Sequence, residues 1–222
     1  MQAGGPLLDN DLLWSELVLR LHEAGYAQED ISWAENTQPP ADPAEFATET
    51  IFVICNSGMK HTIARQIFDK CMAALRSDQS ASTVFGHVGK AGAMDKIWAD
   101  RDQLFADYMA ADDKIAFCKT IPWIGGITCY HLAKNFGAQV AKPDVHLQRL
   151  ADRHACTPQE LCEAIAARSS FCVNTVDLLL WRACATGILD GKTCSFPKPK
   201  AHQQPEPFQV ELFEPVQTDL FA

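Results

Sequence analysis

Hydrophobic residues recur at helical spacing along most of this chain. Leu13, Leu17 and Leu21 stand four residues apart and Gly25 follows them, which predicts an amphipathic helix over residues 9–24. No segment shows a convincing alternation of apolar and polar residues with a period of two, as a half-buried strand would require. The sequence therefore predicts an all-α fold.

Two capping patterns mark further helix starts. Asp42-Pro43-Ala44-Glu45 and Thr157-Pro158-Gln159-Glu160 each combine a capping side chain, a first-turn proline and an acid at the third position. Residues 31–42 and 77–92 are polar or rich in small residues, and they are predicted as loops, the second one between two helical halves. Further helices are predicted around residues 94–99, 101–111, 113–120 and 173–182.

Residues 118–154 contain a turn that is suited to binding an anion. A helix should stop at Pro122, and the turn Trp123-Ile124-Gly125-Gly126 should lead into a second helix that ends at Gly137. Glycines in such a turn can adopt positive φ and leave backbone N–H groups at the start of the next helix, where the helix dipole favours an anion. One carboxylate, Asp144, follows at the head of a third helix. A phosphate-binding turn followed by an acid is the arrangement expected of an enzyme that holds a DNA backbone and acts on one sugar.

The motifs in this region resemble those of a known enzyme family. Ile121-Pro122-Trp123-Ile124-Gly125-Gly126-Ile127-Thr128-Cys129 and Pro143-Asp144-Val145-His146 are similar to the helix-hairpin-helix and Gly/Pro-Asp signature of the base-excision DNA glycosylases. Asp177-Leu178-Leu179-Leu180-Trp181, followed by Thr186-Gly187, resembles the last helix of the archaeal-type 8-oxoguanine glycosylases. The resemblance covers roughly residues 45–190. It implies two packed helical subdomains with a DNA- and base-binding cleft between them.

The resemblance also implies roles for individual residues. Backbone groups of Trp123, Gly125, Gly126 and Ile127 would hold a DNA phosphate, with a monovalent cation compatible with the turn, and His146 would either pack or contact a phosphate. Asp144 would stabilise the positively charged sugar and orient or deprotonate a water molecule.

Ile127 stands where bifunctional family members carry a lysine nucleophile. A Schiff base with the sugar requires an amine, so the resemblance implies simple hydrolysis without lyase activity. The alternative is that Lys142 or Lys134 replaces the missing amine.

Two further groups are candidates for contacts with an everted base. The turn at residues 56–61 corresponds to the junction that fills the gap left in the duplex, and its candidate residues are Asn56, Met59, Lys60 and His61. The alternative is an ordinary solvated turn between helices. Asp177 and Trp181 would face the base, or Asp177 would be a charge on a helix surface.

Composition limits the class of protein. The net charge is −9, yet residues 118–154 contain five Lys or Arg against two acids, so binding to bulk DNA should be weak and local. Nine cysteines occur without any CxxC pair, which favours reduced core thiols over an iron–sulfur cluster, and no other cofactor or metal is expected. No apolar run approaches the length needed to span a membrane, and the N-terminus does not show the pattern of a signal peptide. We expect a monomer located in the cytoplasm, associated with the nucleoid, and without membrane contact.

The chain is predicted to divide into a helical domain, residues 1–190, and a tail, residues 191–222, that is rich in Pro, Gln and acids and is expected to be disordered. Gln209-Val210-Glu211-Leu212-Phe213 and Gln217-Thr218-Asp219-Leu220-Phe221 resemble the peptides by which bacterial repair enzymes bind the sliding clamp. Two copies in one tail would raise the effective concentration of the binding peptide at the clamp.

The sequence thus favours a monofunctional DNA N-glycosylase that excises a damaged or modified base from double-stranded DNA and leaves an abasic site. Removal of a bulky hypermodified base from phage DNA, as antiviral defence, is an alternative to DNA repair. A non-catalytic DNA-binding adaptor is the alternative from another class. The missing lysine means that 8-oxoguanine cannot be transferred as the substrate.

Overall fold

In a computed structural model of the protein, residues 11–197 are described, and they form eleven α-helices. One short 3-10 turn, Ala81–Thr83, and one isolated bridge between Asp190 and Ser195 complete the regular structure of this part, which contains no β-strand. The predicted all-α class is confirmed. The helices are α1 Asp11–Glu23, α2 Ala27–Asn36, α3 Pro43–Asn56, α4 His61–Arg76, α5 Val88–Ala99, α6 Arg101–Ala110, α7 Lys114–Cys118, α8 Thr128–Asn135, α9 Val145–Arg153, α10 Pro158–Ala166 and α11 Val173–Ala185.

The described residues divide into two compact units. Residues 37–144 form the central unit, and residues 11–36 together with 145–197 form the terminal unit. The loop that the sequence predicts between two halves, residues 77–92, lies instead inside the central unit, and its last five residues, 88–92, belong to α5. It is held there because Asp95 on α5 accepts hydrogen bonds from the Ser80 hydroxyl (2.6 Å) and the Ala81 N–H (2.7 Å).

The central unit is built around α3. This helix packs against α4, α5, α6 and α8, and a helix that is covered on most sides must be apolar on most sides. Phe46 on α3 stacks on Phe136 with ring centroids 5.0 Å apart and lies 5.6 Å from the ring of Tyr108. The helix begins as predicted, because Asp42 accepts a hydrogen bond from the Glu45 N–H at 2.8 Å.

The terminal unit is built around α11, which packs against α1, α2, α9 and α10. Arg182 on α11 forms a bidentate ion pair with Asp30 on α2 at 2.8 Å, and both side chains are 2% exposed. The prediction of a loop over residues 31–42 is wrong for its first part, since α2 extends to Asn36. Small or charged residues, Ala27, Asp30 and Ala34, form the buried face of α2, so no apolar repeat revealed it.

Residues 191–197, which composition assigns to the tail, fold against the terminal unit. The Asp190 N–H donates to the Ser195 carbonyl at 2.9 Å, Cys194 is buried, and the Arg20 guanidinium lies 4.4 Å from the centroid of the Phe196 ring. Two apolar residues anchor this stretch despite its polar composition. The two clamp-like peptides, which begin at Gln209 and Gln217, lie outside the described residues. Within residues 11–197 no helix has the length and apolar character needed to cross a membrane.

Candidate functional site

The turn between α7 and α8, residues 119–127, differs from the prediction in its backbone. Trp123 has a φ of 66°, whereas Gly125 and Gly126 do not have positive φ. The Ile124 N–H donates to the Ile121 carbonyl at 3.1 Å, so Pro122 and Trp123 are the central residues of a β-turn. A turn with proline first and positive φ second is type II, and its second central position is usually glycine. The left-handed residue of this turn is therefore Trp123, directly after Pro122, and not one of the glycines.

The Trp123 side chain is seated on the start of α5. A Cβ added to Gly89 would lie 2.5 Å from Cζ2 of the indole, so only glycine fits beneath the ring. The ring of His87 lies edge-on to the indole with centroids 5.1 Å apart. Trp123 remains 49% exposed and Ile127 51% exposed. The turn thus presents two large apolar side chains to solvent.

Backbone donors are available at the start of α8. The Gly125 N–H is used within the turn, because it donates to the Thr128 hydroxyl oxygen at 2.6 Å. In the described part of the chain, the N–H groups of Gly126, Ile127 and Thr128 have no hydrogen-bond acceptor, and Ile127 at the N-cap makes no side-chain cap. The donors at the helix start are therefore Gly126, Ile127 and Thr128; compared with the predicted residues 123–127, Gly125 is used within the turn and Thr128 is added. Thr128 was missed, although a threonine at a helix start commonly binds the turn before it.

Asp144 lies directly before α9. Its N–H donates to the Lys142 carbonyl at 2.8 Å, and its side chain is half-buried. It is the last residue of the central unit, which also contains the 119–127 turn, whereas His146 on α9 belongs to the terminal unit.

A basic cluster occupies one face of α8 near the end of this unit. His131 and Lys134 are three residues apart on that face, and Lys134 is 6% exposed. Burial, together with the positive charges of Lys142 and Lys134, lowers the pKa of His131 to about 3. The imidazole is therefore neutral at physiological pH. Both lysines proposed as alternative amines thus lie within electrostatic reach of one neutral histidine.

The same face of α8 contacts an acid that the sequence did not reveal. The Asn135 side-chain amide donates to Glu49 on α3 at 2.5 Å. Burial raises the pKa of Glu49 to about 7, with Glu45 adding a smaller rise and the Asn135 hydrogen bond opposing it. Glu49 therefore titrates near neutral pH. Its position within the apolar run of α3 was the only available signal.

The turn at residues 56–61 is only partly exposed to solvent. Asn56 is the last residue of α3, and its side-chain amide donates to the Phe52 carbonyl at 3.2 Å. Met59 is half-buried, Lys60 is exposed, and His61 begins α4. Lys60 is thus the most accessible of these candidates whose side chain is described.

A buried lysine donates hydrogen bonds to the backbone of this turn and of the helix end before it. The Lys90 ammonium donates to the carbonyls of Ile54 at 2.8 Å and Ser57 at 2.6 Å, and the residue is 6% exposed. Burial lowers the pKa of Lys90. Because Lys90 follows Gly89, the first turn of α5 supports both the 56–61 turn and Trp123. Sequence reasoning missed this residue.

The remaining candidates belong to the terminal unit. Asp177 on α11 is 2% exposed, so its interpretation as a surface charge is wrong. Trp181 is half-buried and flanks Arg182, whose guanidinium lies 5.2 Å from the centroid of the indole. His146 is half-buried on α9.

Metal-binding chemistry is not evident between residues 11 and 197, where no cluster of three or more His, Cys, Asp or Glu side chains could hold an ion. All nine cysteines are free thiols, and burial raises the pKa of Cys55 and Cys118 to about 12. Such thiols are poor nucleophiles and poor ligands at neutral pH.

No protein-family model, curated protein sequence or solved structure matches this chain. The chemical groups available in the central unit are the backbone N–H donors at the start of α8, a half-buried carboxylate at Asp144, and a histidine whose pKa is lowered by burial and by the charges of Lys142 and Lys134.

Proposed function

We propose that the protein is a monofunctional DNA N-glycosylase, which hydrolyses the bond between a damaged or modified base and its deoxyribose. One observation carries the proposal: unused N–H donors at Gly126, Ile127 and Thr128 and the carboxylate of Asp144 belong to the same compact unit. The donors suit a phosphate and the carboxylate suits a sugar that gains positive charge. The resemblance of residues 121–129 and 143–146 to the helix-hairpin-helix glycosylases supports the same assignment.

The reaction uses Asp144 as its catalytic residue. As the N-glycosidic bond breaks, its electron pair leaves with the base and positive charge develops on the sugar, which the carboxylate stabilises. Asp144 also orients a water molecule and accepts its proton while the water oxygen bonds to the anomeric carbon. The products are a free base, which takes up a proton, and an abasic site.

Several candidate residues are assigned to positioning the substrate. The backbone N–H groups of Gly126, Ile127 and Thr128 hold the DNA phosphate, alone or with a monovalent cation, and His146 adds a phosphate contact. Extrusion of a base from the duplex costs a few kcal/mol, which a side chain inserted in its place offsets. Lys60 and Met59 are suited to that role. Asp177 and Trp181 are assigned to recognition of the extruded base.

The absence of an amine at Ile127 favours hydrolysis over a covalent intermediate. Lys134 is buried and Lys142 is half-buried. If either formed a Schiff base with the sugar, reduction by borohydride would trap the protein on DNA. We expect no trapping, and a trapped complex that Lys142→Met or Lys134→Met abolishes would assign lyase activity to that residue.

The test of the proposal compares the wild-type protein with Asp144→Asn. Genomic and phage DNAs with different base modifications are incubated with each protein, released bases are identified by mass spectrometry, and abasic sites are detected by alkaline cleavage. We expect release by the wild type and a loss of roughly 100-fold or more in Asp144→Asn, with DNA binding preserved. Asp152→Asn is the matched control, because Asp152 is an exposed acid on α9 that accepts only a surface hydrogen bond from Gln148. Equal activity of Asp144→Asn and wild type would remove Asp144 from the mechanism.

The same assay separates the alternatives. DNA binding without release of any base would identify a non-catalytic adaptor, for which the donors at the start of α8 suffice. Release of bulky bases from phage DNA, and not of damaged bases from genomic DNA, would assign the enzyme to antiviral defence and not to repair. Binding to the sliding clamp is tested by a pull-down with residues 205–222 deleted, where undiminished binding would exclude the two peptides.

A further inference from the structure

A row of aromatic rings lies on the surface of the central unit beside the 119–127 turn. The ring of His87 lies 6.0 Å from that of Phe85 and 5.1 Å from that of Trp123, measured between centroids. Val88 beside them is 81% exposed. We call Phe85, His87, Val88 and Trp123 the aromatic shelf.

The fold fixes the position of Trp123 in the aromatic shelf. Trp123 occupies the left-handed region, which a bulky residue seldom adopts, and such strain tends to occur at functional positions. Gly89 provides the space that holds the indole, since any side chain there would collide with the ring at 2.5 Å. One part of the indole is thus fixed against α5 while 49% of the residue stays open.

The shelf adjoins the donors that the proposed function assigns to a DNA phosphate. Trp123 precedes Gly126 by three residues in the same turn, and Ile127, which is 51% exposed, continues the apolar surface to the start of α8. A nucleotide has the same combination of features: an anionic phosphate that accepts hydrogen bonds, next to a deoxyribose with apolar C–H groups.

The charge of the protein makes an apolar contact useful. Affinity for DNA normally rests on neutralised phosphates, and it falls steeply as salt concentration rises. A chain with a net charge of −9 has little of this contribution available outside the five Lys and Arg residues of segment 118–154. Contact between an aromatic ring and a sugar depends on buried apolar area, which salt does not screen.

We propose that Trp123, seated on Gly89, packs against the deoxyribose next to the phosphate held at Gly126 to Thr128, and that this contact supplies a salt-independent share of the affinity for DNA. The inference rests on the proposed function, because it takes DNA as the occupant of the shelf.

The test measures binding of a fluorescent duplex by anisotropy at several salt concentrations, for the full chain and its variants. We expect Trp123→Ala to weaken binding roughly five- to tenfold at every concentration from about 50 to 200 mM, with an unchanged slope of log affinity against log salt. Gly89→Ala should have the same effect, since it displaces the indole without removing it. Lys119→Ala, which removes an exposed cation from the same turn, should instead reduce the slope by about one.

Trp98→Ala is the matched control. Trp98 is a half-buried tryptophan on α5, the helix that also contains Gly89. The Arg101 guanidinium lies 4.8 Å from the centroid of its ring, and the loss of Trp98 should leave DNA binding unchanged. If the wild type binds DNA and Trp123→Ala and Gly89→Ala bind equally well, the shelf serves another partner and this inference is overturned, while the glycosylase proposal stands. A wild type that binds no DNA would overturn both.

Discussion

Replacing Glu49 with glutamine should remove a titrating group without removing its hydrogen bond. The Asn135 amide donates to the Glu49 carboxyl at 2.5 Å, and the side-chain oxygen of glutamine can accept the same bond. The two groups that shift the pKa of Glu49 besides burial are Asn135 on α8 and Glu45 on its own helix. Burial raises this pKa from 4.5 to about 7.

The sign of the effect follows from proton uptake. Between pH 4.5 and about 7 the folded protein keeps the proton on Glu49, whereas the unfolded chain has lost it. The unfolded state therefore gains stability as pH rises, and the contribution of Glu49 to the free energy of unfolding falls across this window. A shift of this size corresponds to about 3 kcal/mol at most, and because the side chain is only half-buried we expect about 1 to 2 kcal/mol.

The assay is urea denaturation, followed by tryptophan fluorescence, of wild type and Glu49→Gln at pH 4.5, 6 and 8. The variant should match the wild type at pH 4.5 and exceed it by about 1 to 2 kcal/mol at pH 8. Glu45→Gln is the control, because Glu45 is exposed and acts on Glu49 only through a small electrostatic effect, so it should reproduce at most a minor part of this difference. A constant difference across the pH range, or a variant that is less stable at pH 8, would refute the assignment of a raised pKa to Glu49.

Three further predictions concern other ionisable groups whose properties depend on burial. Asp30→Ala should lower the free energy of unfolding, measured by urea denaturation, by about 3 to 5 kcal/mol, because it leaves the Arg182 guanidinium buried without its carboxylate. Glu16→Ala, which breaks an exposed ion pair with Arg20, should lower it by at most about 1 kcal/mol, and equal losses in the two variants would contradict the reasoning. Lys90→Met should cost about 1 to 3 kcal/mol and speed hydrogen exchange across residues 55–60, because two backbone carbonyls lose their donor; unchanged exchange would show that the turn does not depend on it. His131→Gln should reduce the loss of stability as pH falls from 6.5 towards 3, a window in which only the unfolded histidine takes up a proton, and an unaltered acid transition measured by circular dichroism would exclude a lowered pKa.

Local sequence signals predicted the helix starts that depend on neighbouring residues. Asp42 caps α3 as expected, and Thr157 and Glu160 form a complete capping box, with the Thr157 N–H donating to the Glu160 carboxylate at 2.7 Å. Such signals work because the hydrogen bonds involved join residues three apart.

Elements that depend on distant partners were missed. Helix α2 buries Asp30, whose partner Arg182 lies 152 residues later in the chain. No local sequence pattern predicts that ion pair. Lys90 likewise reaches carbonyls 33 and 36 residues earlier in the chain. A charged residue on a helix is ordinarily assigned to the surface, so the burial of Asp30, Lys90 and Arg182 was not predicted.

The candidate site was predicted in part, and here the details that were missed are local. Sequence reasoning located the 119–127 turn and Asp144, but it assigned positive φ to the glycines and overlooked Thr128. The Gly125 N–H donates to the Thr128 hydroxyl, and the left-handed residue is Trp123, which follows Pro122. Residue type alone favoured glycine, whereas the hydrogen-bonding register of the β-turn decided the outcome.

The tryptophan at this position has little net effect on stability by itself. A side chain in the left-handed region costs about 1 to 2 kcal/mol. Against that, burying about half of an indole, roughly 100 Å², on Gly89 and His87 gains about 2 kcal/mol. The two contributions nearly cancel, so folding alone gives no reason for tryptophan in place of glycine, the residue that this turn type prefers. The half of Trp123 that stays exposed gains free energy only when another molecule covers it, which is what contact with DNA would provide.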